Sequence, residues 1–269
     1  CHGTFSGGGA VGALAAGALI AAGVPFRALY GLVALLILAA MGAIWRSHGE
    51  LTGGGRTGGI SERDQKRDRW GLFRRRALLL VAAVTALGFL FEGAMETWSV
   101  VYLRRSLELP ALLGASGAAV FHAAMLVGRL GTAGAVARFG RRATLRGAGL
   151  LAAAGLTLAL ATERAAMILL GFLAVGLCLS AVAPVTFSLA GDLAPGRAGE
   201  ASSVITTLGY GGFLVGPTLI GGLAEAIGLR AALATLMLAG AAIAALAGRV
   251  GAAESGAVER VGEEAVGVG

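Results

Sequence analysis

Apolar residues fill eight stretches between Thr4 and Ala247, and polar positions gather in the short gaps between them. The stretches run Thr4–Gly23, Phe26–Trp45, Ala77–Leu103, Leu112–Val136, Thr144–Ala161, Ala166–Ala190, Ala201–Gly222 and Arg230–Ala247. A bilayer core is about 30 Å thick and a helix rises about 1.5 Å per residue, so one crossing takes roughly 20 mostly apolar residues. Each stretch is near that length. Lipid offers no partner to a free backbone N–H or C=O, so the pattern predicts helices throughout. The expected fold class is an all-α integral membrane protein with about eight transmembrane helices.

Composition narrows the field further. A hydrophobic fraction of 57% and a mean hydropathy of +0.81 over 269 residues exceed what a soluble bundle can cover with polar surface. The formal charge of +7 would suit a nucleic-acid partner if the basic residues were clustered on one face, but they sit between the spans. Counted on alternate sides, sixteen fall before Thr4, within 46–76, 137–146 and 191–200, and in the tail. The other side holds five: Arg27, Arg104, Arg105, Arg164 and Arg230, with Arg129 inside a span. The positive-inside rule therefore places both termini in the cytoplasm of a cell (plasma or inner) membrane, as an even number of spans requires.

The polar gaps also divide the chain. Residues 1–45 hold two spans, 46–76 form a linker, 77–247 hold six spans, and 248–269 are a tail with Glu254, Glu259, Glu263 and Glu264 among Gly and Ala, read as flexible. The linker carries nine basic and four acidic residues, which suits an anchor on anionic lipid at about 1 kcal/mol per basic residue or, alternatively, a partner-binding segment. Gly53, Gly54, Gly55, Gly58 and Gly59 predict flexibility there, and the alternating charges of 61–69 predict a surface helix. The first residue is Cys1 and no basic n-region or cleavage site precedes the first span, so an internal start is expected rather than a signal peptide. Cys1 and Cys178 suggest neither a disulfide nor a metal site.

Within the spans, Gly8 with Gly12, Ala13 with Gly17, and Gly212 with Gly216 form small-residue pairs that let helices approach closely. Pro184 and Pro217 interrupt the sixth and seventh spans and predict kinks that could serve movement.

Four passages carry a resemblance. They are His2-Gly3-Thr4-Phe5-Ser6-Gly7-Gly8-Gly9; Glu92-Gly93-Ala94-Met95-Glu96-Thr97-Trp98-Ser99 with Tyr102-Leu103-Arg104; Gly128-Arg129-Leu130 followed by Arg138-Phe139-Gly140-Arg141-Arg142; and Gly212-Phe213-Leu214-Val215-Gly216-Pro217 with Gly221-Gly222. In this order they resemble the fifth helix, the seventh helix, the loop between helices eight and nine, and the eleventh helix of a major facilitator superfamily transporter, in its bacterial fucose-permease-like or sugar-permease-like branch. The resemblance implies a helical bundle made of part of an N-terminal half and a complete six-helix C-terminal half, with the first four helices of the family pattern absent. Two positions depart from that pattern. Ala133 and Ala137 stand where the loop motif has an acid, which leaves the arginines without their expected partner, and Thr97 stands where an acid precedes Trp98.

The chemistry concentrates in ionisable groups inside spans, which cost roughly 2.5–3.5 kcal/mol at a helix centre and therefore mark function by default. Glu92 and Glu96 are one turn apart and share a face with Thr85, Gly88 and Ser99. Two carboxylates so close cannot both ionise cheaply in a low dielectric, so at least one is expected to hold a proton near neutrality. His122 and Arg129 share one face of the fourth span; either could pair with an acid or an anionic solute, and Arg129 could instead snorkel to the cytoplasmic edge. Tyr210 shares a face with Ser203 and Thr207, where it could line a solute path, while the two hydroxyls could equally bond their own backbone. Arg138, Gly140, Arg141 and Arg142, with Pro184 and Pro217, form the candidate gating set. Trp45, Trp70, Trp98 and Tyr102 read as interface anchors.

No HExxH, nucleotide loop, GxSxG or paired-Cys motif is present, so an enzyme reading lacks a site, and neither a cofactor nor a metal is expected. The expected function is secondary active transport of a small polar solute, a sugar or metabolite, by alternating access with proton coupling. The expected partners are that solute, protons and membrane lipids, with no nucleic acid. Three alternatives stand beside it: a proton-exchanging drug or metabolite efflux carrier, which the same residues would serve, a non-transporting sensor or scaffold acting through the linker, and an inactive fragment.

Overall fold

The computed structural model describes residues 2–51 and 75–250, with side chains in 6–46 and 75–250. The linker readings on Gly53–Gly59 and 61–69, together with Cys1, Trp70 and the tail past Val250, lie outside the described residues. The helices are α1 His2–Ala21, α2 Phe26–Leu51, α3 Arg76–Ser106, α4 Ala111–Leu160, α5 Ala165–Leu179, α6 Val182–Leu193, α7 Ala198–Ile227 and α8 Leu229–Ala234. The last is part of a Leu229–Val250 span. Six of the described helical segments are long and apolar enough to cross a membrane, and α1 adds a shorter apolar one.

The described segments meet the eight expected spans, with informative differences at their ends. α2 continues to Leu51 and α7 extends from Ala198 to Ile227, both past the apolar windows, because a helix need not stop where lipid does. α1 ends in a Schellman closure: Val24 N–H bonds the Leu19 carbonyl at 3.0 Å and Gly23 N–H bonds that of Ile20 at 3.0 Å. Gly23 takes a φ of 83°, which suits glycine, and Pro25 follows.

The fourth and fifth spans are the two arms of α4. Gly140, at φ 78° and ψ 162°, breaks the helical path, and residues of both arms, Thr132 and Gly147 among them, line one cavity. The chain therefore doubles back at Gly140. The sixth span splits into α5 and α6 at Ser180 and Ala181. Pro184 explains the break, because it cannot donate to the Ser180 carbonyl and its ring crowds that oxygen.

Phe91, Met95, Phe121, Met125 and Phe172, all essentially without exposure, fill the space among α3, α4 and α5. α7 lies against α3 so tightly that a Cβ on Gly212 or Gly216 would run into the Ala86 or Leu90 carbonyl. α1 rests on α4, but not through Gly8 and Gly12, which have nothing within 4 Å; its contacts are made by Gly9 and Gly17, the latter at Ala115. α2 buries none of its apolar window.

Candidate functional site

Glu92 sits near the middle of α3, and Glu96 follows one turn later. α4 runs back alongside, so its residues meet α3 in reverse order. Arg129 Nη2 lies 3.7 Å from Glu92 Oε1, and His122 Nε2 lies 3.8 Å from Glu96 Oε1. Four of the five residues expected to bind proton or solute thus form two stacked acid–base pairs between neighbouring helices. Both separations exceed hydrogen-bond length, so these are close approaches rather than closed hydrogen bonds, and the one at His122 joins opposite charges only when that imidazole is protonated.

Burial distinguishes the two acids. The Glu92 side chain is 9% exposed and that of Glu96 36% exposed, so Glu92 is the more deeply buried of the two acids. One Glu96 oxygen, Oε2, and the Ser99 hydroxyl one turn on are buried without a hydrogen-bond partner among the described residues. Leaving such an atom unmatched costs about 1–3 kcal/mol. Thr85, lower on the same face, bonds the Val81 carbonyl at 2.9 Å and is already satisfied. The polar lane therefore has a satisfied end at Thr85 and unpartnered atoms at Glu96 and Ser99.

Arg129 does not snorkel. Its side chain is 10% exposed and its Nη1 donates to the hydroxyl of Ser6 on α1. Ser6 entered the sequence reading only within the first resemblance passage, two residues after Thr4, and was given no role of its own there. Tyr210 stands apart from the four. Its ring meets Phe89 edge-on at 5.6 Å and Phe213 at 6.3 Å, and it is half exposed on the same face of α7 as Ser203 and Thr207. Thr207 bonds the Ser203 carbonyl at 2.9 Å, which is the backbone reading of that hydroxyl.

At the Gly140 turn the arginines have an acid after all. Arg141 Nη1 reaches Asp192 Oδ2, at the end of α6, at 2.5 Å. The expectation that the acid partner was missing looked for it at 133 and 137, within the same span, whereas it comes from a segment 51 residues away. Arg75 adds a second tie to that end of α6, donating to the Leu193 carbonyl at 3.2 Å. Arg138 lies over the Phe139 ring at 5.5 Å, and Arg142 is exposed.

Pro217 lies within α7 without breaking it. Its carbonyl accepts the Trp98 indole N–H at 2.9 Å, so Trp98 links α3 to α7 rather than serving only as an interface anchor. The Phe213 carbonyl, deprived by Pro217 of its usual donor, abuts the bare Cα of Gly93. Among the described residues, no cluster of three or more His, Cys, Asp or Glu could hold a metal ion.

Residues 118–265 match the family model described as Major Facilitator Superfamily. That stretch contains His122, Arg129, the Gly140 turn, Pro184 and Pro217, while Glu92 and Glu96 precede it. An uncharacterized MFS-type transporter of Yersinia pestis is 32% identical over 241 residues, covering 88% of this chain and 59% of its own length. Membrane protein MosC of Rhizobium meliloti is 33% identical over 174 residues, 65% of this chain and 43% of MosC. An uncharacterized transporter of Sinorhizobium fredii is 34% identical over 173 residues, 63% of this chain and 45% of that protein. The chain spans about half the length of the curated relatives it matches.

Proposed function

The chain belongs to the major facilitator superfamily, and from that premise we propose that it works in secondary active transport of a small polar solute, a sugar or related metabolite, by alternating access coupled to protons. The observation that carries the reading is the pair of acid–base contacts, Glu92 with Arg129 and Glu96 with His122, held inside the bundle. A charge within the membrane is retained where it moves or binds something. A proton arriving at Glu92 or Glu96 neutralises one member of a pair and leaves its base without a counter-charge. That cost can be linked to which side the site faces.

In this reading α1 and α2 are the last two helices of an N-terminal half, and residues 77–247 are the C-terminal half that carries the proton site. The exposed face of α7 with Ser203, Thr207 and Tyr210 borders the solute path, and the Arg141–Asp192 contact, with the α5–α6 break at Pro184 and the Pro217 site, forms the gating set. Residence in the cell membrane with both termini cytoplasmic belongs to the same proposal.

The test is proton movement in vesicles carrying the full-length protein and a pH-sensitive dye, challenged with a panel of sugars and small polar metabolites. Solute-driven proton movement is expected, and it should fall at least about tenfold in Glu92→Gln and Glu96→Gln, the equivalent of about 1.4 kcal/mol. Coupling that persists unchanged in both variants would remove these acids from the mechanism.

A further inference from the structure

The two bases of the site are both held from α1, by residues that carry no charge. Ser6 is fully buried and its hydroxyl accepts a hydrogen bond from Arg129 Nη1. Gly9 stands so close to His122 that a Cβ there would lie 2.9 Å from two ring carbons and 3.0 Å from Nδ1. Ser6 and Gly9 are three residues apart, hence on one face of α1 and one turn from each other. Gly17 extends the same seam to Ala115.

The guanidinium is a rigid planar fork, so fixing one terminal nitrogen fixes the direction of the other. With Nη1 on Ser6, Nη2 is left 3.7 Å from Glu92, beyond hydrogen-bond length. The imidazole, confined by the bare backbone at Gly9, is left 3.8 Å from Glu96. We infer that Ser6 and Gly9 are positioning residues that hold Arg129 and His122 at a distance from Glu92 and Glu96. Displacement of α1 along α4 alters both separations together. Withdrawal of Ser6 lets Arg129 turn onto Glu92 with two parallel hydrogen bonds, the strongest geometry open to that pair. Movement between the two proposed halves is in this way read directly by the carboxylates, where charge interactions are least screened.

This inference rests on the proposal that Glu92 and Glu96 take up the proton. Among the described residues, the titratable groups around them are Arg129 and His122 of α4 and each other on α3; α1 presents Ser6, and α7 presents Tyr210, held against Phe89 and Phe213. The experiment is infrared titration of the full-length protein in lipid, following the carboxylic-acid bands that disappear in Glu92→Gln and Glu96→Gln. In Ser6→Ala the Glu92 band should titrate about one pH unit further toward acid, a tenfold change, because a released Arg129 favours the charged carboxylate. Ser6→Thr keeps the hydroxyl and should restore the parent profile, which a merely structural loss would not do. Gly9→Ala should displace the Glu96 band and leave the Glu92 band in place. Superimposable profiles for Ser6→Ala and the parent would overturn the inference. If no band is lost in either Gln variant, the proton reading falls by itself. The positioning claim is then decided by an experimental structure of Ser6→Ala, in which the Arg129–Glu92 separation should close to about 2.7–2.9 Å; an unchanged separation would overturn it.

Discussion

One absent methyl group sets how closely α3 and α7 run. Gly212 faces the Ala86 carbonyl with no room for a Cβ, whereas its neighbour Gly211 has nothing within 4 Å. The backbone is helical at both positions, so the same substitution separates packing from helix propensity. Gly212→Ala forces the helices apart and should cost about 1–3 kcal/mol, as overpacking does. Gly211→Ala should be neutral or stabilising by up to about 1 kcal/mol, from propensity alone. The thermal midpoint in detergent should fall for purified Gly212→Ala and stay level or rise for Gly211→Ala; equal losses would show that the α3–α7 seam is looser than described. At this scale the sequence was only partly legible. Gly212 and Gly216 could be marked as a contact pair from their spacing, but so could Gly8 and Gly12, where an added Cβ would meet nothing within 4 Å among the described residues. Spacing names a helix face and does not say what lies opposite. The role of Ser6 was invisible for the same reason: it depends on Arg129, 123 positions away.

Elements are punctuated by residues whose chemistry acts locally, and there the sequence reads well. Pro184 marks the α5–α6 break, and Gly140 marks the point where α4 folds into two arms. What could not be read was the tie from that turn to α6, because Asp192 sits in a connector whose charge was counted only for its basic residue. The Arg141–Asp192 pair joins side chains that are 30% and 58% exposed, so water screens it and its contribution to stability is below about 1 kcal/mol. Its consequence is therefore movement rather than stability. Asp192→Asn should leave the thermal midpoint within error of the parent while hydrogen exchange through residues 137–146 becomes faster. Exchanging the charges, Arg141→Asp with Asp192→Arg, should slow it again. A large fall in midpoint would mean that the contact supports the fold itself.

Across the whole molecule the distribution of arginine carries an expectation about orientation. The Gly140 turn carries Arg138, Arg141, Arg142 and Arg146 within nine positions, whereas the connector between α4 and α5 carries Arg164 beside Glu163. Arg and Lys in short loops, not net charge, bias insertion, so the turn is expected on the cytoplasmic side and residue 163 on the outer side. With that orientation the Arg141–Asp192 contact is expected at the inner mouth and Arg230, which caps α4 at the Leu160 carbonyl, at the outer one. Single cysteines at Ala137 and Glu163, in a chain with Cys1 and Cys178 replaced, test it directly, since both positions are exposed or lie outside the buried core. A membrane-impermeant maleimide applied to intact cells should label Glu163→Cys and spare Ala137→Cys, and inverted vesicles should reverse the result. Labelling of Ala137→Cys from outside would turn the molecule over and put the Arg141–Asp192 contact at the outer mouth.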